Sequence, residues 1–245
     1  MRKLTVKERL IVAADFKPVE PNERDWVRKQ VLMLAERLYG TGICLKVNSA
    51  LRACGHGLIR EIHDRELSVF ADLKLFDIDS TLAVDGVLLR AAKPEFLTVV
   101  CAAGISAMKA LKAELPETEV LGVTALTSLK DLDTQMMFSC MTEEAVLRFA
   151  AVASIAEIDG LICSPKEAKM LREKFGILLS LNTPAIRPTW AIVPGDDQNP
   201  ERIMTPAKAI KAGADRIIVG RPITKADNPR EAVMRTLEEI SSALE

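Results

Sequence analysis

Eight short apolar runs, most of them rich in β-branched residues, recur along the 245-residue chain. They are centred near residues 12, 45, 71, 98, 122, 161, 179 and 218, and longer stretches with helical periodicity lie between them. This alternation is typical of repeated βα units and a parallel sheet. A doubly wound open sheet would more often carry a GxGxxG turn after its first strand, and none is present. The pattern therefore predicts a closed (β/α)8 barrel, with residues 1–245 forming one domain because no linker or low-complexity segment divides the chain.

Two of the predicted helices carry readable start signals. Residues 164–167 and 228–231 each offer a capping side chain, then proline at the first helical position, then glutamate three residues after the cap. We therefore expect helices to begin at Pro165 and Pro229. The last helix should bury one face that includes Val233, Leu237, Ile240 and Leu244.

Charge and composition exclude several classes of partner. The 33 lysines and arginines nearly balance the 34 aspartates and glutamates, so no overall field favours nucleic acid or an anionic membrane. The amino terminus lacks an apolar signal segment, and no stretch approaches the roughly 20 apolar residues of a membrane span. We expect a soluble, cytoplasmic protein. Its five scattered cysteines form no CxxC pair, and with two histidines they predict reduced thiols and no zinc site.

Polar residues close several of the predicted strands. Because catalytic groups of such barrels lie at the carboxyl ends of the strands, these residues are the first candidates for a site. They are Asp15, Lys46, Asn48, Asp72, Lys74, Asp77, Thr127, Gly220 and Arg221.

The third strand, "VFADLKLFDIDST", brings opposite charges together. In a regular strand residues 72 and 74 point to one face, roughly 6.5 to 7 Å apart. If Lys46 and Asp77 join Asp72 and Lys74, the site holds two acids and two lysines. These charges must compensate one another, because an unpaired buried charge costs several kcal/mol. A purely structural alternative is a salt-bridge cluster that closes one end of the barrel.

The last two strands flank the usual phosphate position of these barrels. Gly220 allows backbone N–H groups to approach an oxyanion, and Arg221 can grip phosphate oxygens with two hydrogen bonds. The segment from Arg187 to about Arg202 is long and lacks a regular period, which favours an active-site lid. Its Trp190 could instead pack as part of an ordered loop or meet a partner subunit.

Taken together, "LIVAADF", "CLKVN", "DLKLFDI", "VTALTS", "TPAIRP", "GDDQ", "RIMTP" and "IVGRPIT" resemble the orotidine 5'-phosphate decarboxylase family, in the right order and over nearly the whole chain. The resemblance implies decarboxylation of orotidine 5'-monophosphate (OMP) to UMP and CO2, the last step of UMP synthesis. It also implies a homodimer with two shared active sites.

The resemblance assigns roles to individual residues. Lys74 is the proton donor, and Asp72, Lys46 and Asp77 complete the charged set. The substrate would be held by Asp15 and Lys46 at the ribose, Thr127 and Pro184 at the base, Gln198 between base and phosphate, and Arg221, Gly220 and Arg187 at the phosphate. Asp77, Ile78 and Thr81 would reach into the neighbouring subunit's site.

The chemistry requires a cation at the reacting carbon. Loss of CO2 leaves an electron pair on C6 of the pyrimidine that the ring delocalises poorly, and no pattern in the sequence indicates a cofactor or metal. A lysine ammonium would stabilise that charge and then deliver the proton. The chain departs from the bacterial pattern at Asp79-Ser80, where Pro-Asn is common, at Asn48, where glycine is common, and in its lid.

Two alternatives remain open. One is the magnesium-dependent branch of the same suprafamily, with 3-keto-L-gulonate 6-phosphate decarboxylase and hexulose 6-phosphate synthase, where an acid at the second strand helps to hold the metal. Lys46 stands at that position here, and an ammonium repels a cation. The other is a catalytically silent phosphate-binding barrel, which would be expected to have lost part of the charged set.

Overall fold

Eight parallel strands close into a barrel in the computed structural model of the chain, which describes residues 4–18, 20, 23–191 and 204–244. Each strand pairs with the next, and β1 pairs with β8 to complete the ring. The predicted (β/α)8 fold is confirmed, whereas the extent of one domain over residues 1–245 and the cytoplasmic location stay predictions. The strands are β1 (Leu10–Ala13), β2 (Cys44–Val47), β3 (Ser68–Leu75), β4 (Phe96–Val100), β5 (Glu119–Val123), β6 (Gly160–Ile162), β7 (Ser180–Thr183) and β8 (Arg216–Val219).

Helices follow the strands along the chain. They are α1 (Arg24–Arg37), α2 (Ser49–Cys54), α3 (Gly57–His63), α4 (Asp79–Arg90), α5 (Ile105–Glu114), α6 (Asp131–Phe138), α7 (Thr142–Ile155), α8 (Ala168–Phe175), α9 (Pro206–Lys211), α10 (Arg221–Thr224) and α11 (Pro229–Ser241), with 3-10 turns at Lys7–Arg9, Cys101–Ala103 and Thr189–Ala191. In the part of the chain that the structure describes, no helix is both long and apolar enough to cross a membrane.

The predicted start of α11 is confirmed, and that of α8 is wrong by three residues. The Asn228 side chain accepts a hydrogen bond from the Glu231 N–H, and α11 begins at Pro229. Before α8, residues 165–167 form a turn in which the Glu167 N–H donates to the carbonyl of Ser164. This i to i−3 bond closes a tight turn, so the α-helical bonds start only at Ala168.

The buried face of α11 is one residue shorter than predicted. Val233, Leu237 and Ile240 are buried, but Leu244 is 46 % exposed. The reason is that the helix ends at Ser241, so Leu244 no longer follows the helical period.

Alternate residues of each strand point into the barrel and form layers. One layer of inward side chains is apolar and includes Phe70 and Phe96, whose rings meet edge to face with centroids 5.9 Å apart. Two residues further along β2, β3 and β4 stand Lys46, Asp72 and Thr98, all buried. The same alternation that fills the core thus places polar groups directly above it, at the carboxyl end.

An ion pair between a buried arginine and a partly exposed glutamate closes the opposite, amino end of the barrel. Arg216 is 4 % exposed, and its two terminal nitrogens donate to both carboxylate oxygens of Glu119 at 2.8 and 2.9 Å. Its guanidinium also lies 4.6 Å from the centre of the Phe96 ring and donates to Asn182 Oδ1. This ion pair at the amino end is separate from the charged residues around Asp72 and Lys74 at the carboxyl end.

Candidate active site

A cavity of about 540 Å³ opens at the carboxyl end of the barrel. Its lining brings together most of the residues singled out in the sequence: Asp15, Lys46, Asp72, Lys74, Thr127, Pro184, Arg187, Gly220 and Arg221. Apolar side chains that the sequence did not single out, such as Phe70, Ile162 and Ile218, also face it. Four cationic side chains stand against two carboxylates in this lining, so the cavity suits an anionic ligand.

Asp72 is the centre of the charged cluster, and four groups donate hydrogen bonds to its carboxylate. Lys74 Nζ donates to Oδ1 at 2.7 Å and the Thr98 hydroxyl donates to the same oxygen at 3.0 Å. Lys46 Nζ donates to Oδ2 at 3.0 Å, and Asn48 Nδ2 donates to it at 3.3 Å. With its oxygens so fully occupied, the carboxylate is held in one orientation.

Lys46 lies between two carboxylates. Its Nζ is 3.0 Å from Oδ2 of Asp72 and 3.0 Å from Oδ2 of Asp15. Lys46 and Asp72 are both buried, whereas the Asp15 side chain is 56 % exposed and faces the mouth of the cavity. The result is an alternating chain of charges that runs from Asp15 through Lys46 and Asp72 to Lys74.

Both buried members of this chain keep their charge at neutral pH. Burial by itself would lower the pKa of Lys46, but the neighbouring charges of Asp72 and Asp15 outweigh burial and raise this pKa above its ordinary value. Burial would likewise raise the pKa of Asp72, but the two lysine ammoniums lower it. Mutual pairing therefore keeps both groups ionised in a space that would otherwise favour their neutral forms.

The backbone of β3 leaves regular strand geometry between these residues. The register between β3 and β4 shifts between Ala71 and Leu75, and Lys74 has φ of 49°, in the left-handed region. The regular strand geometry assumed for residues 72 to 74 therefore does not hold at Lys74, although both side chains face the same cavity, as expected. The two side chains nevertheless meet, because the Lys74 N–H donates to Thr98 Oγ1 at 2.9 Å and the ammonium reaches Asp72.

Two arginines and a glycine that follow β7 and β8 also line the cavity. Arg187 is 4 % exposed and donates to the carbonyl of Ile186, while Arg221 begins the short helix α10 directly after Gly220. An added Cβ at Gly220 would approach nothing closer than 3.8 Å, the Cβ of Ala13, so the space beside this backbone is open.

Asp77, Ile78 and Thr81 lie outside the cavity of their own chain, and all three are exposed. Asp77 Oδ1 accepts the Ile78 N–H at 2.7 Å, just before α4. Asp79, one of the departures from the family pattern, is the first residue of α4. Its carboxylate accepts hydrogen bonds from the Ser80 N–H and from Ser106 Oγ on α5. An acid at a helix amino end is also favourable to the helix dipole, which gives this departure a structural reason.

The first part of the predicted lid is attached to α11. Thr189 donates from its N–H and its hydroxyl to Glu239 Oε1 at 2.9 and 2.8 Å, and the Arg235 guanidinium lies 4.6 Å from the Trp190 ring. Trp190 packs against the core. The rest of that segment, with Gln198, lies outside the described residues.

Comparison with known proteins decides the family. The model of the orotidine 5'-phosphate decarboxylase / HUMPS family matches residues 8–236. The chain belongs to this family.

Its relatives and structural neighbours agree with that assignment. The chain is 35 % identical over 242 residues to the orotidine 5'-phosphate decarboxylase of Saccharophagus degradans, with 96 % of this chain and 94 % of that protein covered. It is 40 % identical over 192 residues to the enzyme of the same name from Staphylococcus aureus, which covers 75 % of this chain and 81 % of the relative. The crystal structure of orotidine 5'-phosphate decarboxylase from Lactobacillus acidophilus matches with a TM-score of 0.74 and 27 % identity, over 95 % of this chain and 99 % of that one.

One side chain in contact with Asp72, that of Thr98, was not among the site residues expected from the sequence. Asn48 was a strand-end candidate, but no role was assigned to it. The signal for Thr98 is a hydroxyl inside the apolar run "FLTVV", at an inward position of β4. Thr98 is 0 % exposed, and a buried hydroxyl at such a position costs free energy unless it finds a hydrogen-bond partner.

The donor set of the site does not suit a divalent metal. The space between the two cavity carboxylates, Asp15 and Asp72, is taken by the Lys46 ammonium. Across the described ranges, no group of three or more histidine, cysteine, aspartate or glutamate side chains is placed to hold a metal ion.

Proposed function

We propose that this protein decarboxylates OMP to UMP and CO2 without a metal or organic cofactor. The observation that carries the proposal is the chain of alternating charges from Asp15 to Lys74 in a cavity that Arg187 and Arg221 also line. OMP carries a carboxylate at the reacting ring and a phosphate at its far end, so it matches a cavity with an excess of positive charge. The family membership supports the same reaction.

Lys74 is the proton donor in this proposal. When the bond between C6 and the carboxylate breaks, CO2 leaves and the bonding electron pair remains on C6. The Lys74 ammonium stabilises that pair electrostatically and then transfers a proton to C6, which yields UMP and a neutral amine that regains its proton from water. Asp72, 2.7 Å from Lys74 Nζ, holds the ammonium in place and lies close to the substrate carboxylate.

The remaining residues bind the substrate. Asp15 and Lys46 hold the ribose hydroxyls, and Thr127 and Pro184 contact the base. Arg221 and the Gly220 N–H bind the phosphate with help from Arg187, and Gln198 bridges base and phosphate. Binding energy from the phosphate, far from C6, is then available to order the charges around the reacting carbon.

The working unit in this proposal is a homodimer in which Asp77, Ile78 and Thr81 complete the partner's site. Their exposure, outside the cavity of their own chain, supports the assignment. They also adjoin a group of exposed apolar side chains that a second copy would cover: Phe76, Ile78, Val84, Val87 and Leu88, which are 45 to 66 % exposed.

The reaction is tested by following the ultraviolet absorbance of OMP in the presence of EDTA. We expect turnover by the wild type and loss of product formation by Lys74→Ala, which should keep its circular dichroism spectrum. Lys93→Ala is the matched control, because Lys93 is also a lysine with positive φ (53°) but is exposed and outside the cavity. Near wild-type turnover by Lys74→Ala would overturn the mechanism.

The same assay separates the alternatives. Turnover that EDTA abolishes and Mg2+ restores would point to the magnesium-dependent branch. A folded dimer that binds UMP but does not consume OMP would be the silent phosphate-binding barrel.

The shared site is tested by co-expressing Lys74→Ala and Asp77→Ala chains. Each variant alone should be inactive. If Asp77 serves the neighbouring site, hybrid dimers contain one intact site, and random pairing restores about one quarter of wild-type activity. If Asp77 serves its own site, the mixture stays inactive and the proposal of shared sites fails.

A further inference from the structure

Thr98 contacts the backbone of Lys74 and the carboxylate of Asp72 with one hydroxyl group. Its Oγ1 accepts the Lys74 N–H at 2.9 Å and donates to Asp72 Oδ1 at 3.0 Å. The same Oδ1 accepts Lys74 Nζ at 2.7 Å. These three bonds form a closed ring that begins at the Lys74 backbone and returns to the Lys74 side chain.

The ring sits where the backbone departs from regular strand geometry. A lysine with φ of 49° occupies a region that side chains other than glycine, asparagine and aspartate seldom adopt, so surrounding contacts must hold it there. The register shift between β3 and β4 takes Lys74 out of the ordinary ladder, and its N–H bonds to a side chain instead of a strand carbonyl. Thr98 supplies that bond from β4.

The side chain of Thr98 is well placed for this task. It is 0 % exposed, and a β-branched residue in a strand has few rotamers, so the position of its hydroxyl is well defined. A hydroxyl has one proton and two lone pairs. Because the proton is given to Asp72, a lone pair is left for the Lys74 N–H, and one atom fixes the lysine backbone and its carboxylate partner together.

We propose that Thr98 is a positioning residue that holds Lys74 in its left-handed conformation and so directs the ammonium toward the reacting carbon. This inference rests on the proposed function for its catalytic consequence. Thr98 itself lies outside the cavity lining and acts only through Lys74 and Asp72.

The test compares Thr98→Val with Thr98→Ser. Valine keeps the branched shape and removes both hydrogen bonds, whereas serine keeps the hydroxyl and removes a methyl group. Loss of hydrogen bonds to charged or backbone groups at a reacting centre predicts a fall in kcat of about 10- to 100-fold for Thr98→Val, with KM within about threefold of wild type. Thr98→Ser should retain kcat within about fivefold.

A matched control is Thr236→Val in α11. Thr236 is also 0 % exposed, its hydroxyl donates to the Ala232 carbonyl, and it is not part of the cavity lining. This variant should keep wild-type kcat. If Thr98 only fills space, serine should be the more damaging replacement at position 98, and kcat of Thr98→Val within threefold of wild type would overturn the proposal.

A crystal structure of Thr98→Val gives a readout that does not depend on turnover. We expect Lys74 to leave positive φ, or its Nζ to move away from Asp72 Oδ1. An unchanged Lys74 would refute the positioning role even if the wild type consumes OMP. Conversely, a displaced Lys74 together with a wild type that does not consume OMP would refute the proposed function and leave the positioning role intact. Circular dichroism and UMP binding monitor folding, and Thr98→Ala replaces the valine variant in the same comparison if the latter does not fold.

Discussion

Replacing Asp72 by asparagine should destabilise the folded protein, because two lysines lose their shared counter-charge. The Lys46 side chain is 9 % exposed and the Lys74 side chain 29 %, so Lys46 is buried and Lys74 is partly shielded from solvent. An amide also offers one oxygen where the carboxylate offers two, so its NH2 group must face donors. Breaking a buried ion pair costs roughly 3–5 kcal/mol, and because Lys46 keeps Asp15 we expect the lower end, about 3 kcal/mol. For a chain of this size that corresponds to a fall in Tm of about 6–12 °C.

The effect should depend on pH in a defined direction. Because the folded-state pKa of Asp72 is lowered, its contribution to stability is present above the unfolded-state pKa of about 4 and is lost as pH falls through the folded-state value. The pKa of Lys46 is raised, so its contribution is full below the unfolded-state pKa of about 10.4 and is lost as pH rises through the folded-state value. The gap in Tm between wild type and Asp72→Asn should therefore be full at neutral pH and shrink below about pH 4.

Thermal unfolding followed by calorimetry or circular dichroism measures that gap. Asp25→Asn is the control, since the Asp25 side chain is 95 % exposed and its replacement should change stability by less than about 0.5 kcal/mol. In a double-mutant cycle with Lys46→Met, the coupling energy should exceed about 1 kcal/mol, because removing the lysine removes much of the reason for the loss. A gap under 2 °C at pH 7, or one that stays constant down to pH 3, would refute this account. An Asp72→Asn protein more stable than wild type would show instead that the cluster is strained for the sake of activity.

Three further predictions follow from the contacts described above. Arg221→Ala should lower kcat/KM by about 30- to 100-fold although the residue is distant from C6, and a steady-state change below about threefold would count against its role. In native protein treated with a thiol reagent at neutral pH, Cys54 should react first. The other four cysteines are buried, and burial raises the pKa of Cys101 to about 12. Rapid reaction of all five thiols would contradict this packing. At the amino end of the barrel, Glu119→Gln should lower stability by about 1–2 kcal/mol, which is more than the effect of Arg216→Met. The first change leaves a buried guanidinium without its counter-charge, whereas the second removes the buried charge itself. Equal melting temperatures of the two variants would argue against a stabilising ion pair at this end.

Much of the site was predictable because parallel strands bring their carboxyl ends together. Residues far apart in sequence, such as Lys46, Asp72 and Arg221, could be assigned to one cavity from their positions at strand ends alone. The resemblance of the motifs to the family then supplied roles that spacing could not. The contribution of Asp77 to a neighbouring site came from that resemblance and stays a prediction.

The contacts that the sequence did not predict share a physical cause. The bond from Thr98 to Asp72 joins residues 26 positions apart, and the pairing of Arg216 with Glu119 joins residues 97 positions apart. Such contacts depend on the register between strands and on how each side chain turns within the barrel. One sequence shows that a threonine or an arginine interrupts an apolar run, but not which partner it will meet.

The sequence by itself determined the (β/α)8 architecture, through the alternation of apolar runs and helical periods, and the composition of the charged cluster, through the polar residues at strand ends. Only the tertiary structure decided how that cluster is held. The left-handed conformation of Lys74 arises from the register shift between β3 and β4 and from the bond that Thr98 makes to the Lys74 N–H. Local preference disfavours this conformation for a lysine, so it exists because the packed barrel supplies the contacts that compensate for its strain.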